Sequence, residues 1–268
     1  MALPELLPFY LASAAYLLAA FFYTGGLAFS KPSLFRWGWS AAAGGLLAST
    51  AVVIVRAIAA GHGPFANMYE FGALLVVVVV SLFLGLDFRY RCSFLGAFVL
   101  PLVFVFSGLL PLLYQEAGPL GPALRSNWLV AHAITAVVAY GALTMSFCAA
   151  IAYHWCRRSA GRRGETGRLE RLVTGLISFS VPFLTLLIVT GAIWAEYAWG
   201  SYWRWDPKET WSLITWLVYV LYLHMRSVYG WRGLRAVNLA ILGFLVLVFT
   251  FVGVNLLLPG IHSYASGP

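Results

Sequence analysis

Between Trp194 and Trp211 the chain carries five tryptophans and two tyrosines in eighteen residues, interleaved with Gly200, Arg204, Asp206 and Glu209. Scattered indoles are ordinary at a membrane surface, because amphipathic rings settle at the headgroup level. This density instead describes a flat, π-rich surface with a few charges around it, which suits a large planar ligand. Trp199, Trp203 and Trp205 would form that surface. Asp206-Pro207-Lys208-Glu209 has a second reading, since Asp at N-cap, Pro at N1 and Glu at N3 make a good helix start. The two readings are compatible, because a capped, rigid helix end is a good place to fix a ligand platform.

Five histidines accompany this segment. His132 follows Ser126-Asn127, a helix cap, and lies about 7 Å inside the helix that begins there. His262 comes just after Pro259-Gly260, which should end the last helix. Both then flank the side that carries the tryptophans, and two neutral imidazoles can ligate one iron from opposite faces. A lone histidine at a helix end is commonly satisfied by water; a pair on the tryptophan side points to metal ligation. His224 lies about 25 Å down a helix starting at Pro207, near the opposite face. An ionisable group there is a functional-site candidate, yet Arg226 follows two residues later and an interfacial histidine fits equally well. His154, beside Trp155 and a basic run, reads as interfacial, and the glycines and proline of Gly61–Pro64 account for His62 locally.

The elements that must position these residues are membrane helices. Of 268 residues 62% are hydrophobic and only 10% charged, where a water-soluble domain carries about a quarter charged. Apolar spans of bilayer length fall near 5–29, 37–60, 66–87, 93–114, 127–155, 172–197, 208–228 and 236–258. The expectation is an all-α, polytopic bundle of about eight transmembrane helices forming one domain, 1–268, with 194–211 as its tryptophan-rich loop. The N-terminus lacks the basic n-region of a cleavable targeting segment.

Charge orients the bundle. Segments after the first, third, fifth and seventh spans hold Lys31, Arg36, Arg89, Arg91, Arg157, Arg158, Arg162, Arg163, Arg168, Arg171, Arg226, Arg232 and Arg235, against Arg56, Arg125, Arg204 and Lys208 on the other side. The positive-inside rule puts the first set in the cytoplasm, and both termini and the tryptophan loop outside. The net charge of +8 is thus a topology signal, which leaves no case for nucleic-acid binding. The run Arg157–Arg171 could also meet anionic lipid headgroups. Cys92, Cys148 and Cys156 form no Cys-x-x-Cys pair and none is placed for an outer disulfide. The chain is therefore neither a thiol oxidoreductase nor itself a c-type cytochrome.

Trp199-Gly-Ser-Tyr-Trp-Arg-Trp-Asp206 closely resembles the "WWD" signature of haem-handling proteins that assemble c-type cytochromes. Asn127–His132, Trp216–His224, Gly253–Tyr264 and Gly61–Glu70 resemble CcsA (ResC), the membrane subunit of the system II cytochrome c synthase, so the likeness runs through most of the chain. The resemblance implies haem b bound as cargo, with His132 and His262 as its outer axial ligands and the porphyrin held against the tryptophan motif. His224 would belong to a second haem site nearer the cytoplasm, completed by a histidine of a CcsB/ResB-like partner. The other partner implied is an apocytochrome c with a CxxCH motif, in a bacterial cytoplasmic membrane.

The expected activity is haem delivery and covalent attachment, with Arg125, Arg204, Lys208 or Arg56 able to pair with haem propionates. A WWD haem carrier without attachment activity is the nearest alternative. A b-type electron-transfer cytochrome would leave the tryptophan loop unexplained, and a transporter of another aromatic solute would have no use for the outer histidines.

Overall fold

The structure, a computed structural model, describes residues 3–258 and contains helices but no strand among them. Packing divides the chain into two compact units, one ending at Leu120 and the other beginning at Gly121.

The first unit comprises α1 (Leu3–Ala28), α2 (Pro32–Ala60), α3 (Met68–Tyr90) and α4 (Gly96–Leu109). Short 3-10 turns at Ser93–Leu95 and Leu110–Leu113 extend α4 into an apolar stretch of 21 residues. α1 packs on α2 and α4, and α3 bridges α2 and α4. Local chemistry sets the ends. Pro32 opens α2, Gly61 closes it with φ of 71°, and the Asn67 side chain caps α3 by accepting from the Glu70 N–H at 2.9 Å.

A charged cluster lies inside this unit. Arg56 is 1% exposed, donates from Nε to Glu70 Oε1 at 3.0 Å and from Nη2 to the Gln115 carbonyl at 2.7 Å. Its Nη1 sits 3.6 Å from Glu5 Oε1, and Tyr69 donates to Glu5 Oε2 at 3.1 Å. The guanidinium also lies 5.5 Å from the Tyr69 ring and 5.3 Å from the Tyr114 ring. So Arg56 joins α1, α2 and α3, and this engagement corrects its reading as a propionate partner.

The second unit comprises α5 (Asn127–Arg158), α6 (Thr166–Trp199), α7 (Pro207–Ser227) and α8 (Leu234–Val248). α5 is its centre. Many buried alanines, Ala133, Ala136, Ala139, Ala142 and Ala149 among them, keep it slim, and α6 packs along it. α8 continues through a π-helical turn, Phe249–Gly253, into a last helical turn, Val254–Leu257. There the Thr250 hydroxyl lies 2.8 Å from that of Thr215, and the Phe249 and Trp211 rings are 4.4 Å apart. One residue added to a helix rotates the succeeding turns by about 100°. Past the π turn, Asn255 accepts from Lys208 Nζ at 3.2 Å.

Among the described residues, seven helical stretches are long and apolar enough to cross a membrane: Leu3–Ala28, Pro32–Ala60, Met68–Tyr90, Ser93–Leu113, Asn127–Arg158, Gly161–Trp199 and Leu234–Leu257. The expected span at 208–228 is a helix of 21 residues, α7, but its composition falls short of that standard. Lys208 and Glu209 stand in its first turn and His224 and Arg226 in its last. The helices also overrun the apolar spans: α5 continues to Arg158 and α6 begins at Thr166, carrying basic residues at those ends.

Candidate functional site

α6 ends at Trp199, where Gly200 takes φ of 68° and returns its N–H to the Glu196 carbonyl at 2.8 Å. The chain then crosses to Asp206, the N-cap of α7. A full capping box forms: the Asp206 carboxylate accepts from the first-turn N–H groups, Lys208 N at 2.9 Å among them, and Glu209 Oε2 accepts from Asp206 N at 3.2 Å. Glu209 also accepts from the Arg204 N–H at 2.8 Å, while the Arg204 guanidinium binds the Trp199 carbonyl and Ser201 binds that of Trp203. The connection is thus tied at both ends by its own side chains. Asp206 is 6% exposed, buried with its oxygens turned to helix N–H groups, so its geometry is that of a cap.

Within this frame Trp205 adopts φ of 58°, a left-handed conformation costly for a residue with a bulky side chain. Its side chain is largely exposed, at 70%. The Trp203 and Trp205 rings meet at 90° with centroids 5.8 Å apart, an edge-to-face corner rather than the flat sheet expected from composition. Ring quadrupoles favour that arrangement over stacking face to face. Trp199 packs against Trp194 at 4.9 Å and 65°.

His132 lies beside Trp194. The two rings are near-parallel, 23° apart in plane, with centroids 6.3 Å apart. Ser126 caps α5 by accepting from Trp128 N at 3.2 Å, as its sequence indicates, and fixes the depth of His132. The Leu187 carbonyl lies 2.8 Å from His132 Nδ1. A carbonyl can only accept, so Nδ1 carries the proton and the neutral ring keeps its basic lone pair on Nε2. That is the tautomer a metal-ligating histidine adopts when a backbone carbonyl orients it.

The seat belongs to α6. Leu187, Gly191 and Trp194 fall at i, i+4 and i+7 and share one helix face. A Cβ at Gly191 would stand 2.8 Å from His132 Nδ1 and 2.9 Å from Cε1, so the imidazole occupies the space that a side chain would take. His132 is conspicuous in the sequence, but Gly191 and the pairing with Trp194 are not. The available signal was a glycine inside an otherwise apolar helical run, Leu186-Leu-Ile-Val-Thr-Gly191.

His262 lies outside the described residues. His224 is exposed near the end of α7, its ring 5.6 Å from that of Tyr229. It stands near the arginine-rich end of the unit, far along α7 from the tryptophan connection. His154 Nε2 meets Asn238 Oδ1 at 2.8 Å, and the His62 nitrogens lie 2.8 and 3.1 Å from the carbonyls of Gly63 and Gly118. The three cysteines are buried. Among the described residues no group of three or more His, Cys, Asp and Glu side chains gathers as a metal centre. A porphyrin iron needs none, because the macrocycle supplies four ligands and the protein only the axial ones.

Residues 65–262, which take in both the His132 seat and the tryptophan connection, match the family model described as "Cytochrome C assembly protein". The chain is 33% identical to the cytochrome c biogenesis protein CcsA of Gloeobacter violaceus, with 94% of each chain covered. It is 34% identical to the CcsA of Guillardia theta, with 92% of each covered. Against the CcsA of Chlamydomonas reinhardtii it is 37% identical over 80% of this chain and 64% of that one. Among solved structures, the cytochrome c haem lyase CcmF superposes with a TM-score of 0.73 at 20% identity, over 93% of this chain and 46% of that one, which is a likeness of fold.

Proposed function

This chain belongs to the cytochrome c assembly protein family, and on that premise we propose that it presents haem and helps attach it covalently to apocytochrome c, acting as the haem lyase subunit beside a CcsB/ResB-like partner. One observation carries the reading: the Leu187 carbonyl and Trp194 fix the His132 ring in the ligand-competent tautomer, next to the tryptophan connection. In this reading His132 and His262 would hold the iron of haem b, and Trp199, Trp203 and Trp205 would offer aromatic faces to the porphyrin. Asp206 holds the platform rigid by capping α7. Exposed Arg125 and Arg204 are the basic residues on that side suited to the haem propionates.

The membrane is the bacterial cytoplasmic membrane, crossed eight times with α7 counted, both termini and the tryptophan loop outside. α7 crosses despite its polar ends because Lys208 and Arg226 are paired there, with Asn255 and Glu170. His224 then holds haem on the cytoplasmic side, together with a histidine of the partner.

The attachment needs no protein nucleophile. Each apocytochrome cysteine adds across a haem vinyl group, sulfur bonding to one vinyl carbon and the thiol proton passing to the other, with no leaving group. The chain supplies orientation, which in favourable intramolecular cases is worth up to ~7–11 kcal/mol.

Co-expression with the partner and a CxxCH apocytochrome, scored for covalent haem, tests the proposal; no covalent haem above the partner alone would end it. In the same assay, alanine at Trp203 or at Trp205 should weaken outer-site haem retention by about 1–2 kcal/mol, roughly tenfold, in a folded protein, and wild-type haem in the double variant would end the platform idea. His224→Ala should lower outer-site haem without altering that site's spectrum, whereas unchanged occupancy in haem-limited cells would make His224 interfacial.

Gly191→Ala should be more instructive than its size suggests. Alanine favours the helix by about 1 kcal/mol, so folding and insertion should hold. The displaced imidazole should nevertheless cost about 10–100-fold in haem affinity, the usual penalty for disturbing a ligand's orienting contacts. Wild-type haem content and spectrum in this variant would show that His132 is not seated for ligation.

A further inference from the structure

At the arginine-rich end of the second unit, the end of α5 and the α7–α8 connection line an open, shallow cavity of about 490 Å³. Arg157, Arg232 and Arg235 line it, and no acidic residue does. None of the three forms an ion pair among the described residues; the nearby pair, Glu170 with Arg226 at 2.6 Å, satisfies Glu170 and leaves these cations unneutralised.

The wall is built rather than incidental. Arg226, held by Glu170, also donates to the Trp231 carbonyl at 3.4 Å, and Trp231 N–H returns to the Met225 carbonyl at 3.0 Å. Gly230 and Gly233 take φ of 65° and 63°, turning the connection so that Tyr229 and Trp231 face the cavity. Tyr153, 7% exposed, forms the floor. α8 begins at this point with no side chain capping its first N–H groups, so the helix dipole adds to the positive field.

The surface leading out of the cavity identifies the kind of anion. Arg235, Asn238, Leu242 and Leu245 succeed one another along a single face of α8, and all four are exposed. Leu242 and Leu245 are 52% and 56% exposed. A basic head site thus leads, past Asn238, onto an apolar stretch of about one turn at Leu242 and Leu245, with a tyrosine and a tryptophan beside it of the kind that sit at the glycerol level of a bilayer. A free phosphate would use the arginines but has no use for the apolar stretch.

We infer that this cavity binds the headgroup phosphate of an anionic phospholipid, with the acyl chains lying along the Leu242–Leu245 face of α8. The three arginines form charge-assisted hydrogen bonds to the phosphodiester oxygens, Tyr229 and Trp231 pack on the glycerol region, and Tyr153 closes the floor. The site is distinct from the tryptophan connection, and it borders His224 through Tyr229, so the test separates lipid from haem.

The test uses the full chain in detergent, with melting and native mass spectrometry as readouts. Phosphatidylglycerol should raise the melting midpoint and remain bound, and phosphatidylcholine and inorganic phosphate should do neither. The double variant Arg232→Gln/Arg235→Gln should keep the lipid-free melting temperature and lose at least about tenfold in phosphatidylglycerol affinity. If that variant does not fold, the wild type offered an equimolar mixture of the two lipids should still retain phosphatidylglycerol selectively. Equal retention of both lipids, an unchanged double variant, or stabilisation by phosphate alone would overturn the assignment. So would displacement of the lipid by haem but not by haem dimethyl ester, which would give the cavity to the porphyrin carboxylates.

Discussion

His132→Ala should remove haem from the outer site and reduce holocytochrome formation by at least about two orders of magnitude. Disturbing only an orienting contact already costs ~10–100-fold at metal sites, and this substitution deletes the ligand itself. The fold should survive. His132 is half-buried on a helix whose alanine content already tolerates small side chains, and Leu187 still receives the Thr190 hydroxyl at 3.3 Å. The change leaves an imidazole-sized space between Trp194 and Gly191. Imidazole added to the variant should therefore restore part of the six-coordinate spectrum, which a merely misfolded protein would not do. A variant with wild-type spectrum and covalent haem yield would remove His132 from the site.

The second large effect concerns the first unit and stability. Arg56→Ala leaves Glu5 and Glu70, 0% and 1% exposed, without their shared cation. Breaking one side of a buried ion pair typically costs about 3–5 kcal/mol, whereas replacing the whole group by apolar residues of similar volume is often neutral. The single variant should melt well below the wild type and accumulate poorly. Combining Arg56→Met with Glu5→Gln and Glu70→Gln should recover much of the loss. Equal melting of Arg56→Ala and wild type would mean that the cluster contributes little.

Features set by neighbouring residues were readable in the sequence. Ser126 and Asp206 cap their helices as their spacing indicates, and apolar runs of bilayer length became helices. α7 shows where composition runs out, since its helical start is unmistakable while its polar ends blur its apolar character. What stayed hidden depends on distant pairs. Arg56 reads as one more outer basic residue until Glu70, fourteen positions on, and Glu5 on another helix are brought against it. The same holds for His132, whose Leu187 partner lies fifty-five residues away. The tryptophans were legible as a group but not in their angles, because edge-to-face packing depends on a backbone turn at Trp205 that residue types do not reveal.

The buried cluster around Arg56 also makes the first three helices depend on one another. Arg56 stands four residues before the end of α2, where an arginine would ordinarily reach for the interface, yet its head is buried. α2 has no acid of its own to offset this, because Glu5 precedes it and Glu70 comes after it. The burial of this guanidinium is complete only when α1 brings Glu5 and α3 brings Glu70 against it. The first three helices are thus a single assembly unit, in which removing any one strands a charge carried by another.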